Sequence, residues 1–260
     1  MTRKIVPLTP ERHAGKCWQR FKSYGFAATA CFAPLTMAEI AKAIHSLPLC
    51  FIRANDRFQL AALLSPVAGD NYYVAPDGTW LGSYVPACFR GYPFLLAPHK
   101  DRSKLILCVD ESCELISDEA GEAFVGPDRQ PSPAVVRVME FLQKVEQNRV
   151  LTQQVVDALA EAGLIVQWPL KVKIGGKEVE VPGMYRIDEA LLNRLDDATF
   201  LRIRKVGGLP IVYGQLFSMG NVGMFERLAQ IRSQRKHVAP GEADIEKLFD
   251  ENGMLRLDNC

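Results

Sequence analysis

The stretch Leu164-Ile-Val-Gln-Trp-Pro-Leu-Lys-Val-Lys-Ile174-Gly175-Gly176-Lys177-Glu-Val-Glu-Val181 decides the fold class. Apolar and polar residues alternate on both sides of Gly175-Gly176, which is the period of a strand, and paired glycines accept the positive φ that a tight hairpin demands. Lys171, Lys173, Glu178 and Glu180 then share one exposed face and can pair across the ribbon. The Gly-Lys step is not a phosphate-binding loop: Lys171 stands where the first glycine of that motif belongs, and Glu178 where its Ser or Thr belongs.

Helical periodicity surrounds this hairpin. Val135, Val138, Met139, Leu142 and Val145 trace one apolar face, and Thr152 is placed to cap a second helix whose Val155, Val156, Leu159 and Ala162 face inward before Gly163. Beyond the hairpin, Asp188 can cap a helix over 189–195, and Asp196 or Asp197 one over 198–206 that Gly207-Gly208 closes. A further helix is expected over 211–235.

The first half reads differently. Thr36-Met-Ala-Glu39 has the form of a capping box, and Ile40, Ile44 and Leu47 follow at helical spacing until Pro48 stops the helix. Residues 50–53 and 58–64 read as strands around Asn55-Asp56, residues 72–75 and 79–84 as a further hairpin around Asp77-Gly78, and 104–110 as another strand. The chain is therefore expected to be α+β, with a mainly antiparallel sheet with hairpins in the N-terminal half and helices plus a β-hairpin in the C-terminal half. The turn-rich 126–133 segment is the internal boundary of what reads as one unit, 1–260, whose polar tail, 238–260, docks on the body.

Composition excludes some classes. Thirty-one basic residues against 30 acidic give a net charge of +1, so no overall field attracts nucleic acid, and none is expected as a partner. The N-terminal residues lack the apolar run of a signal peptide, and the longer apolar runs fall short of a bilayer, so the expectation is a cytoplasmic protein with no membrane span. Seven scattered cysteines read as reduced thiols; Cys108 and Cys113, the closest pair, and the four separated histidines lack metal-site spacing, so no metal and no cofactor are expected.

The window Tyr72-Tyr-Val-Ala-Pro-Asp77-Gly78-Thr-Trp80-Leu-Gly-Ser-Tyr84-Val-Pro86-Ala-Cys-Phe-Arg90-Gly-Tyr92-Pro93-Phe94 is the candidate site. Arg90 among Trp80, Tyr84, Tyr92 and Phe94 reads either as a cationic and aromatic pocket for a carboxylate, phosphate or peptide, or as a buried arginine tying a loop to backbone carbonyls. Arg186, Asp188 and Glu189 cluster at a helix start, where a carboxylate caps free amides; acid–base catalysis there would need a cleft. Leu216-Phe217-Ser-Met219 with Met224-Phe225 reads as core or as an adaptable apolar surface, and Arg232 to His237 as a basic helix end.

The chain resembles the SapC family. Gly78, Trp80, Tyr84, Pro86, Ala87, Arg90, Tyr92, Pro93 and Phe94 occupy, in order, the family's stretch of glycine, aromatics, Pro-Ala and arginine, and Tyr185 to Glu189 match its Tyr-Arg-Ile-Asp-Glu block. Phe26-Ala with Pro34 to Glu39, Gly208 to Ser218 and the acidic end from Asp250 extend the likeness over nearly the whole chain. Gly91 departs from it, since relatives often carry a second arginine there. The resemblance implies a non-catalytic accessory or binding protein, in the context of the surface layer and envelope transport or of a flavin-dependent halogenase-like partner. It implies no catalytic residues. The expected partner is a protein or small ligand bound around 80–94, and homo-oligomerisation stays open; the competing expectation is an enzyme using Arg90 or Asp188 and Glu189 in a cleft.

Overall fold

The computed structural model describes residues 3–99 and 104–236; the tail 238–260 and its expected docking, with His237, lie outside the described residues. The chain begins with β1 (Ile5–Pro7), α1 (Pro10–His13), β2 (Cys17–Trp18), β3 (Phe32–Pro34) and α2 (Ile40–Ala43). Next come β4 (Leu49–Ala54), β5 (Arg57–Leu63), α3 (Ala87–Arg90), β6 (Phe94–Pro98), β7 (Leu105–Asp110), β8 (Ile116–Ser117) and β9 (Glu122–Ala123). The second half contributes α4 (Pro133–Glu161), β10 (Ile165–Gln167), β11 (Leu170–Ile174), β12 (Lys177–Val181), β13 (Tyr185–Ile187), α5 (Glu189–Leu192), α6 (Asp197–Lys205), α7 (Leu209–Ser218) and α8 (Met224–Lys236).

The fold is α+β, and every strand pairing among the described residues is antiparallel. The largest sheet has the order β10-β13-β4-β5-β3, so strands from both sides of 126–133 join in it where β13 pairs with β4. Gln215 of α7 locks that joint: its carbonyl accepts from Ile187 N and its amide donates to Leu49 O. The expected hairpins at Asn55-Asp56 and Gly175-Gly176 both form, each on two residues of positive φ. In the second, Lys171 lies opposite Glu180 and Lys173 opposite Glu178, as the exposed ribbon face requires.

Four expectations need correction. The hairpin over 72–84 reduces to a single bridge between Val74 and Trp80, because the backbone on its first arm hydrogen-bonds elsewhere: Tyr72 N donates to Leu64 O and Tyr73 N to the Asn71 side chain. The two helices expected over 135–162 are one. Ser132, not Thr152, caps α4, with Pro133 in the first turn where its missing N–H costs nothing, and no glycine or proline interrupts the run until Gly163. Thr152 is buried within that helix, its hydroxyl donating to Asn148 O and accepting from Met37 N. The helix expected over 211–235 breaks into α7, a 3₁₀ turn (Met219–Gly223) and α8, where two glycines lower helical preference and the Asn221 amide donates to Ile44 O and Leu47 O. The early helix forms as a 3₁₀ turn (Met37–Glu39) followed by α2, and two further short helices, α1 and α3, stand where none was expected.

Two apolar cores result. The large one joins the central sheet to α4, α7 and α8 through Phe51, Leu63, Tyr73, Leu159, Ile187 and Phe225. The small one gathers Trp18, Phe94, Val109 and Phe124 against Ala134 and Val135 at the start of α4.

Candidate functional site

Glu39 is the fixed point of the site. It is 4% exposed and closes the capping box, its Oε2 accepting from the amide and the hydroxyl of Thr36 at 2.9 Å each. Its Oε1 accepts from Ala87 N at 2.7 Å and from the Tyr84 hydroxyl at 3.0 Å. Four donors thus satisfy a carboxylate whose burial would otherwise be costly, and they join the α2 turn to the start of α3. Burial first, then the neighbouring Glu39, pushes the Tyr84 phenol well above its ordinary range, which keeps the proton that it donates.

Arg90 ends α3 and is exposed, not buried against backbone carbonyls. Its Nη2 donates to the Tyr84 hydroxyl at 3.3 Å, and its guanidinium carbon lies 5.7 Å from the Tyr84 ring centroid and 5.3 Å from that of Phe141 on α4. Both distances are within the range of cation–π attraction, so the rings hold the guanidinium in place. Gly91 fits this crowding. A Cβ there would lie 2.6 Å from Leu142 Cδ2 of α4, so a second arginine at 91 would have to displace that leucine.

Below Arg90 lies an open cavity of about 150 Å³ whose polar lining comprises Thr36, Glu39, Lys42, Tyr84, Lys144 and Asn148 besides Arg90 itself. Three cations face one carboxylate whose oxygens are already occupied.

The rest of the expected site is dispersed. Trp80 stands behind the cavity, donating from its ring to Tyr84 O and stacking on Tyr73 at 5.5 Å. Tyr92 stacks on Phe26 at 3.9 Å, and burial, then Cys113, pushes its phenol up to about 12. Phe94 belongs to the small core, edge-on to Trp18. Arg186 sits on β13 opposite Val166, and Asp188 caps α5 by accepting from Leu191 N at 3.0 Å; neither lines the cavity, nor does Glu189.

The family model described as SapC matches residues 8–224. The chain belongs to the SapC family. No curated protein and no solved structure matches it. The matched span contains the whole Arg90 cavity and ends where α8 begins. In this SapC chain, Arg232 of α8 forks onto Asp70 at 2.8 and 2.9 Å and lies over the Tyr72 ring, a structural pairing. Phe225 is wholly buried whereas Phe217 is 74% exposed and stacked on Tyr213, so the apolar segment is divided between core and surface.

Among the described residues no group of three or more His, Cys, Asp or Glu could hold a metal ion, and no helix is long and apolar enough to cross a membrane. Lys42, Phe141 and Lys144 are the site residues that sequence reasoning missed, and Glu39 was visible only as a cap. No local signal marks them, since Phe141 and Lys144 look like ordinary positions of an amphipathic helix.

Proposed function

We propose that this SapC-family protein is a non-catalytic binding protein whose protein partner places one of its groups in the Arg90 cavity. The observation that carries this reading is the posture of Arg90: a guanidinium held by a hydroxyl and two rings, with its outer face open to solvent. Such an arrangement recognises and anchors. Acid–base chemistry asks for two titratable groups converging on one point, yet Glu39 is saturated by four donors, and Asp188 is committed to its cap. Family resemblance supplies the context, envelope or surface-layer transport or a halogenase-like flavoprotein.

The test is affinity capture from the native host's lysate with wild type, Arg90→Ala and Arg186→Ala, after thermal melts show all three folded. Wild type and Arg186→Ala are expected to recover a common partner that Arg90→Ala loses by about tenfold or more, the scale of one charge-assisted contact. Equal recovery by all three, or none above bare resin, overturns the reading.

A further inference from the structure

The structure assigns the Arg90 cavity to a single oxyanion, a carboxylate or phosphate group gripped by the Arg90 fork between Lys42 and Lys144; this rests on the binding reading above. Charge comes first. Neither Lys42 nor Lys144 has a carboxylate partner among the described residues, and the Tyr84 hydroxyl is the one hydrogen-bond partner of the Arg90 guanidinium there. Three unpaired cations around one small space repel each other, and an anion entering that space removes the repulsion. Other described cations lack a carboxylate partner too, Arg194 and Arg204 for example; these three differ in lining one cavity.

Glu39 cannot be that anion, because each of its oxygens already accepts two hydrogen bonds. It acts instead on geometry: by fixing the Tyr84 hydroxyl it fixes one edge of the guanidinium and leaves the remaining N–H donors for a planar or tetrahedral oxyanion. Size limits the ligand as well. A volume of about 150 Å³ seats one such group with its nearest atoms, and the rest of a larger ligand would stand outside the open mouth.

Sodium malonate and inorganic phosphate, each titrated against sodium chloride at matched ionic strength, are the two probes, read by the Arg Nε–Hε resonances of labelled protein and, in every variant, by the backbone amide resonances of Tyr84 and Ala87 beside the cavity. Wild type is expected to show a saturable shift of one arginine signal with malonate, phosphate or both, and the tighter arm identifies the source as carboxylate or phosphate. Arg90→Ala should weaken binding at least about tenfold, and Arg90→Lys, which keeps the charge but loses the fork, by an intermediate factor. Lys42→Ala and Lys144→Ala should each weaken it about two- to fivefold. No saturable shift with either anion, or equal affinity in Arg90→Ala, overturns the assignment. Partner capture that depends on Arg90 without any anion response would leave the binding surface standing and remove the oxyanion alone; an anion response without partner capture would do the reverse.

Discussion

Glu111 is a residue through which acid reaches this fold. Both its oxygens accept from the Arg12 guanidinium at 2.6 Å, Lys4 Nζ lies at 3.0 Å, and the wholly buried His13 ring places Nε2 at 3.5 Å. The hydrogen bonds from Arg12 chiefly hold the Glu111 carboxyl down, from 4.5 to about 2. A carboxyl held low in the native state gives stability that is complete above its unfolded value and is lost as the folded state protonates, here between pH 4.5 and about 2. His13 acts higher up. Burial lowers it from 6.5, so the unfolded chain takes up its proton first and stability begins to fall as pH drops below 6.5. Urea midpoints from pH 7 to 2 should show both losses in wild type, while Glu111→Gln keeps the upper one and has a smaller lower one, a difference of about 1 kcal/mol at the scale of part-exposed ion pairs. Parallel curves for the two proteins would refute it. At this scale the sequence was legible where chemistry is local. The Thr36-x-x-Glu39 box, Asp188 and Asp196 each serve amides within three residues, whereas the Glu39 to Tyr84 bond spans 45 positions and leaves no trace in either neighbourhood.

Helix α4 shows why elements were read better than their joints. Its apolar positions are plain in the sequence, yet Thr152 looks like a helix start, because a hydroxyl that accepts an amide hydrogen bond is what a cap provides. The amide it serves belongs to Met37, 115 positions away, and the hydroxyl's own proton goes to Asn148 O one turn earlier. The polar residue expected to break the helix therefore fastens it to the capping-box turn that carries Glu39. Thr152→Val keeps the shape and removes the acceptor, so the Met37 amide is left unpaired at a cost of about 1–3 kcal/mol. Thr152→Ser keeps the acceptor and should cost clearly less in the same urea titration. If valine and serine destabilise equally, the hydroxyl is not the joint. Arg90 signals should shift in the valine variant too, since the turn that Thr152 holds is the one that positions Glu39.

At the scale of the molecule, α4 is also the beam between the two cores. Ala134 and Val135 pack in the small core and Val155, Val156 and Leu159 in the large one, about 30 Å further along the axis at 1.5 Å per residue. Between them Phe141 touches Arg90 and Lys144 lines its cavity, so the candidate site straddles the region where the cores meet. The central sheet ties the halves again, with β13 pairing with β4 and Gln215 bridging both strands. The small core has strands of its own, β1, β2, β6, β7 and β8, and the element it shares with the large one is α4, so the continuity of that helix is what makes the two unfold together. Trp18 lies in the small core and Trp168 in the large one, and this permits a direct check. In two variants that retain a single tryptophan at 18 or at 168, with phenylalanine at the other two positions, fluorescence and far-UV circular dichroism should follow one transition within each protein. If Trp18 fluorescence changes at lower urea than the circular dichroism of the same variant, the small core melts first and α4 does not couple it to the rest. In that case Leu142, which packs against the small core and backs onto Gly91, would lose its support before the sheet does, and the Arg90 cavity would open below the global midpoint.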